Sequence, residues 1–219
     1  MANFSTHLNI AALGGAVVTS FLSLEMNIDT SSAFFCFTAT IIGGILPDID
    51  HDNSTPLKIM HFIFSNLIAF IFIYKNIEHL KALEMILVWL VINIIMGIIF
   101  YFFKKVTKHR GMIHSIPSGI LFWFLTSFIL YKFFHFDVKS SYLIGMCLFI
   151  GYLIHLILDE IYSVDISGKK LKKSFGSAFK LYSRSNKINL FIYSLLFLIF
   201  LLLPQKEIMF NIIKGFINV

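Results

Sequence analysis

Apolar residues run in long blocks along this chain, and most of the charged and polar residues collect between them. Blocks such as EMILVWLVINIIMGIIFYFF and INLFIYSLLFLIFLLL are unbroken, without the alternation of a barrel strand. Seven blocks of this kind cover residues 8–24, 33–47, 59–74, 84–103, 116–134, 141–158 and 188–203. A membrane crossing takes about 20 helical residues, and about 17 is near the lower limit. The second and third blocks are therefore short, either tilted or half-embedded. The tail 207–218 reads as an interfacial helix or an eighth span. In lipid, only helices and closed barrels satisfy every backbone donor and acceptor. The predicted fold is all-α: a polytopic integral membrane bundle of about 6–8 apolar helices, in one domain over residues 1–219.

Composition supports a bilayer as the main solvent. Of 219 residues, 58% are hydrophobic and 14% charged, against about 25% charged in a soluble domain. Cys36 and Cys147 lie inside apolar blocks without CxxC spacing and read as small buried hydrophobes. No lysine or arginine precedes Lys58, so the first block lacks the basic flank of a cleavable signal and is expected to stay in the mature protein.

If all seven blocks cross, the N-terminus and the connections 48–58, 104–115 and 159–187 share one side. That side carries 12 of the 18 basic residues, from Lys58 to Lys187, which places it in the cytoplasm. The net charge of +6 is then mainly a topology signal, with attraction to anionic lipid in addition. The basic loops carry no nucleic-acid-binding motif, and no nucleic-acid partner is expected.

The same side gathers candidate ligands from four separate segments. His155 and Asp159 stand at i and i+4 in HLILD, on one helix face a turn apart, where they chelate an ion or pair with each other. LPDIDHDNS (46–54) offers Asp48, Asp50, His51 and Asp52 after Pro47, which disfavours helical geometry at Leu46. A helix-ending polar loop explains one or two of these acids but not the cluster. HRGMIHS (109–115) offers His109 and His114 with Gly111 between them, and Ser115 leads into a helix start at Ile116 and Pro117. Arg110 is either a fork for phosphate or a positive anchor at the membrane face. His7 in STHLN gains weight only because it falls on the same side. His61 reads as a structural or supporting group, and His79 and His135, on the other side, as interface residues. Imidazole and carboxylate without thiolate suit Zn²⁺, with Mn²⁺ or Fe²⁺ next. The donors exceed the needs of one ion, and two ions about 3.5–4 Å apart suit phosphoester hydrolysis.

LPDIDH, HRGxxHS and GYxxHxxxD in this order resemble the YdjM-like family of LexA-regulated, membrane-bound metal-dependent hydrolases. The matching segments are LPDIDHDNS at 46–54, HRGMIHS at 109–115 and GYLIHLILD at 151–159, with the early histidine in STHLN, over most of residues 5–160. The motif pattern is similar to that of zinc-dependent phospholipase C and the fungal single-strand nucleases, all-helical enzymes with zinc held by His and Asp. The resemblance implies Asp48, His114, His155 and Asp159 as leading ligands, with His7, Asp50, His51 and His109 beside them. Two departures stand out. Ile113 occupies a position where the family often has threonine, and EIYSVDISGKK follows Asp159 where many members have a Thr-Pro-Gly type segment.

The expectation is therefore a metal-dependent hydrolase of the inner membrane, its site on the cytoplasmic face, acting on a phospholipid or other phosphoester. Asp50 or Asp52 would take a proton, and Arg110 would bind phosphate. A divalent-metal transporter would hold similar ligands nearer the bilayer midplane. A non-enzymatic scaffold would explain the basic loops but not four ligand-bearing segments.

Overall fold

A computed structural model describes residues 3–50, 58, 61–62, 65–66, 68–70, 72–73, 76–106, 114–165, 170–171, 179–182 and 185–217. Among these, α1 spans Phe4–Glu25, α2 Thr30–Ile45, α3 Ala82–Val106, α4 Ile116–Phe134, α5 Val138–Ile161, α6 Asn186–Leu202 and α7 Lys206–Ile217. A 3₁₀ turn, Leu46–Asp50, extends α2. Two residues, Val164 and Asp165, pair antiparallel with Leu171 and Lys170. The all-α membrane bundle is as expected. Five of these helices are long and apolar enough to cross a membrane, and α6 with α7, bent by 107°, makes up to six. The described residues of the third block, between 61 and 73, are helical.

Local chemistry sets the helix ends. The Asn3 carboxamide accepts from the Thr6 amide at 2.8 Å, so α1 starts four residues before the apolar block and takes in His7. Asp29 caps α2 through the Ser32 amide at 3.1 Å, and Asp137 caps α5 through the Ser140 amide at 3.0 Å. Ser115 enters α4 in extended geometry, with proline in the first turn as its sequence suggests. Leu46 departs from expectation. It stays in the right-handed helical region (φ −63°, ψ −38°), and the chain tightens into the 3₁₀ turn instead of leaving the helix. Short 3₁₀ turns are a usual way to finish an α-helix, and Pro47 brings no amide that would need a partner there.

The chain forms two compact units, Met1–Pro47 with Arg110–Val219, and Asp48–His109. In the first, α5 is the central helix, packing against α1, α2, α4 and α7. Its apolar window is 72% buried, so α5 is a core helix that meets protein more than lipid. α2 crosses α5 at Gly43, Gly44 and Gly151, with backbone touching backbone. A Cβ on Gly43 would collide with the Leu148 carbonyl, and one on Gly151 with that of Thr40. Small residues at such crossings are how membrane helices approach closely. Cys36 and Cys147 are free and buried, as expected.

Where α5 begins, Tyr142 donates its hydroxyl hydrogen to the Pro204 carbonyl. Lys206 donates to the Leu203 carbonyl at 3.0 Å, and Gln205 takes a positive φ of 37°, so the 107° bend into α7 is tied by local bonds. α7 turns Met209 and Ile212 inward and sets Phe216 against Phe21 of α1.

In the second unit, none of the apolar window of α3 is buried. Ile86, Ile94 and Ile98 are exposed, as on a helix that faces lipid. Trp89 donates to Asn66 Oδ1 at 2.9 Å, and His61 meets Phe100 edge-on with ring centroids 5.1 Å apart.

Candidate metal centre

Four of the expected ligands meet at one end of the first unit. His7 comes from the first turn of α1, His114 from the residues just before α4, and His155 and Asp159 from the last two turns of α5. Their side chains are 1%, 2%, 0% and 2% exposed, respectively, so water reaches none of them freely.

Asp159 is the hub. Its Oδ1 lies 3.4 Å from His7 Nε2; its Oδ2 lies 3.0 Å from His114 Nε2 and 3.9 Å from His155 Nε2. The His7 ring stacks on the His155 ring with centroids 3.8 Å apart and planes 14° from parallel. His114 meets His155 edge-on at 5.1 Å.

Two backbone carbonyls orient the imidazoles. His155 Nδ1 lies 2.7 Å from the Gly44 carbonyl oxygen, and His114 Nδ1 lies 3.3 Å from that of Pro47. A carbonyl oxygen only accepts, so His155 Nδ1 carries the proton and donates. In the neutral ring, Nε2 of His155 then holds the lone pair, 3.9 Å from the Asp159 carboxylate. His114 lies between two acceptors: its Nε2 hydrogen-bonds Asp159 Oδ2 at 3.0 Å, closer than its Nδ1 lies to the Pro47 carbonyl. Among the described residues, neither ring nitrogen of His7 and not Asp159 Oδ1 makes a hydrogen bond, though all three atoms are buried. Each such atom costs about 1–3 kcal/mol of desolvation when nothing compensates it.

A divalent cation would satisfy these atoms. It accepts lone pairs from imidazole and carboxylate at once, and carbonyl-anchored histidines are the usual outer support of such a site. One donor atom each from His7, His155 and Asp159 falls within 4.8 Å of the others, close enough to hold one ion.

The remaining expected residues are placed less fully. Asp48 is half-buried in the 3₁₀ turn, one peptide beyond Pro47. The Asp50 side chain, His51, Asp52, His109 and Arg110 lie outside the described residues. His79 lies in a turn, its amide donating to the Asn76 carbonyl, and His135 ends α4 with φ of 58°. The sequence reading missed the carbonyls of Gly44 and Pro47. The available signal was the GG doublet at 43–44 and the glycine one turn before His155.

A model of the YdjM inner membrane protein family matches residues 1–210. The chain belongs to that family. It is accordingly a multi-pass inner membrane protein, as its apolar helices also indicate. The YdjM match runs past Asp159 and through α6, so both Ile113 and the tract after Asp159 fall within its span. No curated protein and no solved structure matches the chain.

Proposed function

We propose that this YdjM protein is a metal-dependent hydrolase that cleaves a phosphoester, a phospholipid being the leading candidate, at the cytoplasmic face of the membrane. The observation that supports this reading is the convergence of three buried histidines, His7, His114 and His155, on the buried carboxylate of Asp159. The proposed ion is Zn²⁺, with Mn²⁺ or Fe²⁺ as alternatives, since the donors are nitrogen and oxygen without thiolate. When bound, such an ion acidifies water and offsets charge that develops on a phosphoester.

The chain's own residues divide the remaining work. The Gly44 carbonyl holds the proton of His155 on Nδ1, keeping its Nε2 for coordination, and the Pro47 carbonyl would receive the His114 proton on Nδ1 when an ion takes Nε2. Asp48 follows Pro47 directly, and we assign it as a further ligand. Asp50 or Asp52 would take the proton from water, and Arg110 would bind the phosphate. The cytoplasmic assignment rests on the basic residues of the connections. A transporter needs ligands near mid-bilayer, whereas this cluster joins helix ends.

The test is metal content by mass spectrometry on detergent-purified protein, wild type beside His155→Ala/Asp159→Ala. Near-stoichiometric metal in the wild type alone supports the reading, and vesicle phospholipids with a chromogenic phosphodiester then make the substrate screen. Equal, negligible metal in both after repletion overturns it and favours a scaffold.

A further inference from the structure

The metal reading leaves open what sets the His155 ring. Gly151 stands one helical turn before His155, on the same face of α5. A Cβ placed there would collide with the Thr40 carbonyl oxygen and come within 3.0 Å of the Gly44 amide nitrogen. The atoms in the way are the backbone of α2, not the flexible end of a side chain. Gly44 is thus held by α5 on both sides of its Cα: Gly151 lies against its amide nitrogen, and His155 Nδ1 lies 2.7 Å from its carbonyl oxygen. Across the same crossing, Gly43 lies against the Leu148 carbonyl.

We infer that the α2–α5 glycine crossing is a tautomer lock, in which the absence of a side chain at Gly151 lets the Gly44 carbonyl hold the proton of His155 on Nδ1. Gly151 is therefore a positioning residue for the site, although it carries no group that could touch a metal or a substrate. The consequence for metal affinity rests on the proposed metal site; the tautomer itself does not. An added methyl at Gly151 must push the α2 backbone away. The Gly44 carbonyl then leaves hydrogen-bond range of His155. The ring is then released to the other tautomer, which places a hydrogen on the nitrogen that faces Asp159.

A neighbouring glycine supplies the contrast. A Cβ on Gly14 of α1 would meet the end of the Ile154 side chain, which can rotate away. Gly14→Ala should leave His155 undisturbed.

The experiment is magic-angle-spinning NMR on ¹⁵N-histidine-labelled, metal-stripped protein in lipid, with His155→Gln to assign the signal by subtraction. Zinc titrations of the same samples follow. Wild type and Gly14→Ala should show His155 protonated on Nδ1. Gly151→Ala should show the Nε2–H form or a mixture, and bind zinc about 10–100-fold more weakly, the usual effect of removing an outer-shell partner. An Nε2–H signal in the wild type overturns the inference, and this measurement needs no variant to fold. A Gly151→Ala protein with an unchanged His155 signal and full zinc affinity also overturns it. If the wild type takes up no zinc yet shows the Nδ1–H form that Gly151→Ala disturbs, the lock stands and the hydrolase reading falls.

Discussion

Replacing Asp159 by asparagine keeps the volume of the side chain and removes the carboxylate around which three histidines gather. The size of the effect depends on whether metal is present. Without metal, Oδ2 and His114 Nε2 share a hydrogen bond at 3.0 Å. An asparagine amide can keep that bond while losing the carboxylate's charge. The exchange is worth no more than the net value of one hydrogen bond, about 0.5–1.5 kcal/mol. Metal-stripped Asp159→Asn should therefore melt within a few degrees of wild type, at about 2–4 °C per kcal/mol for a chain of this size. With zinc the gap widens. Ligand at 100 times its Kd stabilises by about 2.7 kcal/mol. The lost ligand should weaken binding by at least the roughly 10–100-fold typical of outer-shell changes. At a 100-fold loss the same zinc concentration stabilises the variant by only about 0.4 kcal/mol. The difference of about 2.3 kcal/mol corresponds to about 5–9 °C. Tryptophan-fluorescence melting in detergent, with zinc and then with chelator, measures both halves. A wild type with no zinc-dependent rise after metal repletion would refute the reasoning, as would an asparagine variant that rises equally.

Gly43→Ala places a methyl against the Leu148 carbonyl and should cost about 1–3 kcal/mol by overpacking, seen as a lower melting temperature and reduced folded yield. Asp137→Ala removes the cap of α5 and should cost about 1 kcal/mol near neutral pH, measured by the same melt. Burial raises the Asp137 carboxyl, but the hydroxyl and amide of Ser140 more than offset that and leave it below the ordinary 3.8. The stability it gives is thus complete above pH 3.8 and lost as pH falls through the lowered value; the gap between wild type and Asp137→Ala should close in acid. For sidedness, Gln205→Cys should react with an impermeant maleimide in intact spheroplasts and Asn3→Cys only after lysis. The reverse pattern would put the histidine cluster on the outer face.

Much of the bundle could be read from the chain because the apolar blocks are long. Residues 116–134 coincide with α4, and most other blocks fall within a few residues of their helices. The i, i+4 spacing of His155 and Asp159 and the position of His114 just before a helix start were equally legible. The packing was not. In lipid both the inward and the outward face of a helix are apolar, so no stripe marks which side of α2 meets α5. Gly44 and His155 are neighbours only through the crossing of two distant segments. LPDIDHDNS drew attention for its acids, yet its clearest part in the described site is the Pro47 carbonyl on His114.

The central position of α5 also has a consequence for biogenesis. Membrane helices enter the bilayer in the order of synthesis, so α1 and α2 arrive long before the helix that covers their inner faces. Until α5 is inserted, His7 has no imidazole to stack on and the Gly44 carbonyl no donor from His155. The early helices therefore gain these partners only when α5 docks, and a chain stalled before Val138 should lack both.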